Sequence, residues 1–204
     1  MHPHYWQQAT SELAAGDAVL KSLIARYPVV SMRSRGDAFS TLARSIAGQQ
    51  ISVKASEAVW QRLLVHASVT PETIANTAPE VLRSCGFSLR KAEYLRDLAA
   101  KFLDGSLHPG LWQDMDDEVV IIELCRVRGI GRWTAEMFLM FYLLRPDVLP
   151  LDDIGLQKAM TAHYQSGEPI SKIKIRSLAE AWRPWRSVAT WYLWRSLDPH
   201  PVVY

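Results

Sequence analysis

Apolar residues along this chain recur at intervals of three and four and almost never alternate with polar ones, which is the period of helices rather than strands. An all-α protein is predicted. Ser40 through Leu64 reads as one or two helices broken near Gly48. Thr70-Pro71-Glu72 supplies a cap, a first-turn proline and an acid, and Pro79-Glu80 opens the next helix, which Gly86 ends. Ser88 caps a long amphipathic segment to Leu103, with Leu89, Ala92, Leu95, Leu98, Ala99 and Phe102 on one face and Gly105 closing it. A helix over Asp117 to Val127 faces inward through Val120, Leu124 and Val127. The run from Met137 to Leu144 is apolar all round, so its helix should be central to the core until Pro146 stops it. Asp152 or Asp153 begins a helix to about Tyr164, and two more follow, Ser171 to Trp182 and Trp185 to Leu197, split at Pro184. No internal repeat or low-complexity tract interrupts this order.

Composition narrows the class. With 204 residues, 49% of them hydrophobic and 22% charged, the chain can bury a good core in one domain or two small lobes. Its formal charge of +2 is too small to predict nucleic-acid binding, so any basic surface must be local, as around Arg126, Arg128 and Arg132. Two cysteines, Cys85 and Cys125, are too few for an iron-sulfur cluster and give no zinc pattern, and His66, His108 and His163 are scattered. The longest apolar run is far below a membrane span and the N-terminus lacks a basic and apolar signal region. A cytoplasmic protein is expected, nucleoid-associated in a bacterium or nuclear in a nucleated cell.

The chemistry-bearing stretch is Leu124-Cys125-Arg126-Val127-Arg128-Gly129-Ile130-Gly131-Arg132-Trp133-Thr134-Ala135. Glycines at 129 and 131 around one apolar residue give a tight hairpin with bare backbone amides, and a helix starting near Arg132 adds the positive end of its dipole. Such a corner can hold a phosphate. Gly-x-Gly alone usually marks an ordinary turn, so its company matters. Twenty residues after Trp133 stands Asp153, where an acid following Pro150 is most often a helix cap. Two adjacent acids, Asp152 and Asp153, permit two roles.

The hairpin resembles that of the helix-hairpin-helix DNA glycosylases. The phrases Gly48-Gln49-Gln50-Ile51-Ser52, Leu149-Pro150-Leu151-Asp152-Asp153 and Trp182-Arg183-Pro184-Trp185-Arg186-Ser187 are similar to the 3-methyladenine DNA glycosylase II branch. The resemblance runs from about Phe39 to Trp194, and one departure is Arg128, where the family often has proline. It implies a single two-lobed glycosylase core over 1–204, with residues 36–145 in the helix-hairpin-helix lobe and 1–35 plus 146–204 in a discontinuous second lobe, the active site lying in the cleft between them.

The resemblance also implies roles. Asp153 is the catalytic carboxylate and Asp152 the cap-like acid; Trp133, Met137 and Trp194 form the base pocket. Gln49, Gln50, Arg128, Gly129, Gly131, Arg132 and Thr134 meet DNA, with Gln50 as the wedge that fills the gap left by a flipped base. Trp133 occupies the place where bifunctional relatives carry a nucleophilic lysine, and tryptophan cannot form a Schiff base. The implied enzyme is therefore a monofunctional, monomeric glycosylase that excises 3-methyladenine-like and 7-methylguanine-like bases from double-stranded DNA with no organic cofactor. The family allows a monovalent cation, sodium or potassium, on the backbone of Arg126, Arg128 and Ile130. Two rivals stay open: a glycosylase for oxidised, deaminated or mismatched bases, and a catalytically silent helix-hairpin-helix DNA-binding module.

Overall fold

The computed structural model describes residues 3–28, 31–34, 36–165 and 168–198, and among these the only regular elements are helices. The chain divides into two compact units, residues 1–34 with 139–204, and residues 35–138.

The first unit begins with α1 (Trp6–Gly16) and α2 (Ala18–Arg26), neither of which the sequence pattern had singled out. They are separated by Asp17, whose Oδ1 accepts from the amides of Val19 and Leu20 and so caps α2. The other carboxylate oxygen accepts from Tyr164 Oη at 2.9 Å and Trp182 Nε1 at 3.0 Å, tying α2 to the C-terminal part of the chain.

In the second unit, α3 (Ala38–Gly48) and α4 (Val53–His66) form the pair expected to break near Gly48. Then come α5 (Pro71–Asn76), capped by Thr70, and α6 (Pro79–Ser84), after which Gly86 adopts φ 104°. The long α7 (Leu89–Leu103), capped by Ser88 Oγ on the Lys91 amide, packs against α3, α5 and α6 with Ala92, Leu95, Leu98 and Ala99 buried. This is the predicted apolar stripe, though Leu89 itself is exposed. A chain of edge-to-face rings, Phe39 to Phe102 to Trp112 to Phe138, with centroids 5.2–6.0 Å apart, runs through this core. Such ring pairs add about 0.5–1.5 kcal/mol each beyond the area they bury.

The helix expected over Asp117–Val127 is shorter: α8 (Asp117–Leu124) ends before the hairpin. Arg126 and Val127 donate to Glu123 and Leu124 carbonyls three residues back, a tightened turn that lifts the chain off the helix axis. Buried Glu123 anchors α8 by accepting from the His108 amide at 2.6 Å and Trp112 Nε1 at 2.7 Å. The next helix, α9 (Arg132–Phe141), crosses the division between the units. Residues 134 to 140 are all buried, as an all-round apolar helix requires. It ends five residues before Pro146. The stop is a reversal in which Leu144 takes φ 55° and the Arg145 amide bonds back to Leu139 O at 2.9 Å.

The first unit then resumes with α10 (Ile154–Tyr164), α11 (Lys172–Ala179), a 3-10 turn over Glu180–Trp182 and α12 (Arg186–Leu197). α12 packs on α1, α2 and α10, and is buried nearly all round from Ser187 to Leu193. Its ring contacts, Trp191 edge-on to Trp6 at 5.3 Å and Trp185 on the Tyr5 ring at 5.7 Å within the same unit, make most of the C-terminal tryptophans core residues.

Candidate active site

In the first unit the expected catalytic acid is delivered by a turn built from Leu149-Pro150-Leu151. Asp153 donates its amide to Pro150 O, and Gln157 Nε2 closes the turn on Leu151 O at 2.8 Å. Asp153 then caps α10: its Oδ1 accepts from the Leu156 amide at 2.6 Å. The same oxygen accepts from Trp194 Nε1 at 2.7 Å, across 41 residues of sequence. One oxygen of an 8%-exposed carboxylate is thus held by two N–H donors, at the positive end of a helix dipole. The split of labour expected between the two acids does not hold. Asp152 does not cap the helix; it is exposed and ion-paired with Lys172, while Asp153 takes the cap itself.

Trp194 was expected to act as a pocket wall through its ring face. The ring is half-buried and lies parallel to Phe141, 18° between planes and 6.0 Å between centroids, while the indole N–H is spent on Asp153. The sequence reading missed two supporting residues. Phe141 was read only as part of an apolar run. Gly155 holds the space: a Cβ there would sit 3.0 Å from Asp153 Oδ1 and 3.0 Å from Trp194 Cδ1. Glycine is a poor helix former, and its place just inside the start of α10 was the available signal.

In the second unit the hairpin sits on α7. Gly129 has φ 84°, and a Cβ on it would fall 2.1 Å from Tyr94 Cδ2, so the close approach to that ring requires glycine. Gly131 has open space around it. The Arg128 amide donates to Asp97 Oδ2 at 2.8 Å, and its guanidinium pairs with Glu93 at 2.9 Å. Arg132 bonds Glu118 and, at 3.1 Å, Glu136; its guanidinium holds the Glu118 carboxyl below the ordinary range. The two arginines expected to serve phosphate therefore rest on carboxylates. Arg126 is exposed and Ile130 buried.

The other expected residues divide by exposure. Thr134 and Met137 are buried, Met137 at 5%, whereas Trp133 is 37% exposed at the start of α9. Gln50 is exposed in a left-handed conformation, φ 58°, and Gln49 donates its side-chain amide to Gly129 O at 2.8 Å. The structure thus joins Asp153 with Trp194 in one unit, and Gln49 with the hairpin in the other.

Residues 43–184 match the family described as HhH-GPD superfamily base excision DNA repair protein. DNA-3-methyladenine glycosylase 1 of Schizosaccharomyces pombe is 31% identical over 182 residues, 87% of this chain and 80% of that protein. A Bacillus subtilis protein named putative DNA-3-methyladenine glycosylase is 41% identical over 128 residues, 63% of this chain but only 45% of that protein's length. Among solved structures, the Schizosaccharomyces pombe 3-methyladenine DNA glycosylase in complex with abasic DNA superposes with a TM-score of 0.81 at 30% identity, over 96% of this chain and 100% of that one.

Proposed function

We propose that this chain, which belongs to the HhH-GPD superfamily of base excision DNA repair proteins, is a monofunctional DNA glycosylase that removes alkylated purines of the 3-methyladenine and 7-methylguanine type. The observation that carries the reading is the Asp153 carboxylate held on one oxygen by the Leu156 amide and the Trp194 indole. As the glycosidic bond breaks, positive charge develops on the deoxyribose, and a fixed carboxylate stabilises that oxocarbenium-like state without reorganising at the moment of reaction. It can also orient or deprotonate the attacking water. Asp153 is the catalytic residue in this scheme, and Trp194 holds its orientation.

The base must leave the stack to be excised, and exposed Gln50 fills the hole it leaves. The hairpin amides around Gly129 and Gly131 contact phosphate, which positions the duplex without reading sequence. Hydrolysis rather than strand cleavage follows from Trp133 in the position of a nucleophilic lysine. A 37%-exposed indole at that position also offers an electron-rich face to a cationic alkylated purine, an attraction of about 0.5–2 kcal/mol.

Among the described residues no cluster of histidine, cysteine, aspartate or glutamate could hold a metal ion. The main-chain carbonyls of Arg126, Arg128 and Ile130 are neutral oxygen donors just beyond the C-terminal end of α8, a donor set suited to a sodium or potassium ion. Such an ion would add positive charge to the phosphate grip.

The test is release of free bases from methylated, deaminated and oxidised duplexes, read together with the DNA strand. Wild-type protein should release methylated purines, leave the abasic strand uncut and resist trapping by borohydride. Asp153→Asn should still bind damaged DNA but lose excision by about two orders of magnitude or more. A preference for uracil or 8-oxoguanine overturns the alkylation assignment, and a borohydride-trapped complex overturns the monofunctional one.

A further inference from the structure

The loop from Gln49 to Ser52 is held at both ends and in the middle. At its start, Lys91 Nζ donates to Ala47 O at 2.8 Å in the last turn of α3. At its end, Ser52 Oγ caps α4 on the Ala55 amide. Between them the Gln49 side chain reaches 80 residues along the sequence to Gly129 O, at 2.8 Å. The sense of this bond is fixed by chemistry, because a carbonyl oxygen can only accept and the amide must therefore present nitrogen. Gly129 is itself fixed, with no room for a Cβ against the Tyr94 ring and with the amide of the preceding residue, Arg128, bonded to Asp97. The neighbouring Gln50 is exposed and its φ is 58°, a conformation that turns the chain sharply.

We propose that Gln49 is a positioning residue rather than a DNA contact: its amide fastens the 49–52 loop to the hairpin, so that the wedge Gln50 and the phosphate grip act on DNA as one rigid unit. The inference rests on the glycosylase reading above for the role of Gln50. Its physical content is that phosphate bound at the hairpin fixes where Gln50 stands relative to the strand. Without the tether, Gln50 must find the gap in the stack from a loop no longer tied to the hairpin, and the flipped state becomes less populated.

Gln49→Met keeps the length and neutrality of the side chain and removes the donor; Gln49→Glu replaces the donor by an oxygen facing an oxygen. Binding is measured by fluorescence anisotropy on a duplex carrying a tetrahydrofuran abasic analogue and on the same duplex undamaged. Flipping is read from 2-aminopurine placed beside the analogue, and melting temperatures confirm that each variant is folded. Gln49→Met should weaken the abasic complex and its 2-aminopurine signal by about tenfold, the size of one lost hydrogen bond, with binding to undamaged duplex unchanged. In a Gln50→Ala background the same substitution should cost nothing further, because a tether has no effect without the group it positions. Gln49→Glu should be at least as impaired as Gln49→Met on the abasic duplex. The proposal is overturned if Gln49→Met weakens both duplexes equally, if its effect adds in full to that of Gln50→Ala, or if it has no effect. Failure of the wild type to release any base would instead strike the glycosylase reading, because the anisotropy arms report on the tether without catalysis.

Discussion

In the proposed scheme Asp153 carries two duties on one side chain, cap and catalyst, and the choice of substitution separates them. Asparagine is as good an N-cap as aspartate, so Asp153→Asn keeps α10 capped and removes only the charge, whereas Asp153→Ala removes both and should lose about 1 kcal/mol of stability besides. The sequence suggested a cap and a catalyst on successive acids. It could not show that the second acid takes the cap, because the choice depends on which carboxylate the Leu149-Pro150-Leu151 turn aims inward. The partner on that oxygen was equally hidden, since Trp194 lies 41 residues away and its N–H direction leaves no trace in periodicity. Trp194→Phe distinguishes its two roles: it keeps an aromatic ring against Phe141 and deletes the donor. Steady-state kinetics on a methylated duplex should show kcat reduced about tenfold or more with KM little changed, consistent with loss of a hydrogen bond to a charged group. An unchanged kcat would reduce Trp194 to a packing residue. Gly155→Ala, which crowds both Asp153 Oδ1 and the Trp194 ring, should reproduce the defect.

The helices were legible wherever caps and amphipathic stripes coincide. Ser88 with its apolar face to Phe102 and Thr70 before Pro71 are such places. Where burial is complete on every side, the pattern fades. In α12, Ser187, Thr190 and Arg195 are all buried. Ser187 Oγ accepts from the Val148 amide, and the Arg195 guanidinium lies over the Tyr27 and Trp191 rings at 5.0 and 5.6 Å. Polar residues of this helix thus belong to the interior. The hairpin was legible as a motif, while its supports Tyr94 and Asp97 were not, because they come from a distant helix. The two glycines should now behave differently. At Gly131 there is room for a side chain, so Gly131→Asp should melt as the wild type does yet bind lesion and undamaged duplex more weakly in equal measure. A loss restricted to one base sequence would contradict a phosphate grip. Gly129→Ala meets both a left-handed φ and the Tyr94 ring, and should lower the melting temperature as well.

For the protein as a whole, 23 basic and 21 acidic residues leave a formal charge of +2, and the acids are not remote from the hairpin. Glu93 holds Arg128, and Glu118 and Glu136 hold Arg132. The Arg128–Glu93 pair is exposed on both sides and contributes about 0–1 kcal/mol, so a phosphate can take over that arginine at little cost and yield it again as easily. The expected signature is a shallow salt dependence: log Kobs for undamaged duplex should fall with log salt at a slope no steeper than about −4, equivalent to roughly four phosphates neutralised. A slope near −8 would mean a basic surface beyond the hairpin. The carboxylates that hold these arginines at rest also bear on how the protein travels. If the hairpin arginines take phosphate as proposed, a cation that returns to its own glutamate when it leaves one phosphate, before taking the next, keeps each dwell on intact DNA brief. The time spent at any position is then decided by whether a base can be flipped out there rather than by attraction to the backbone.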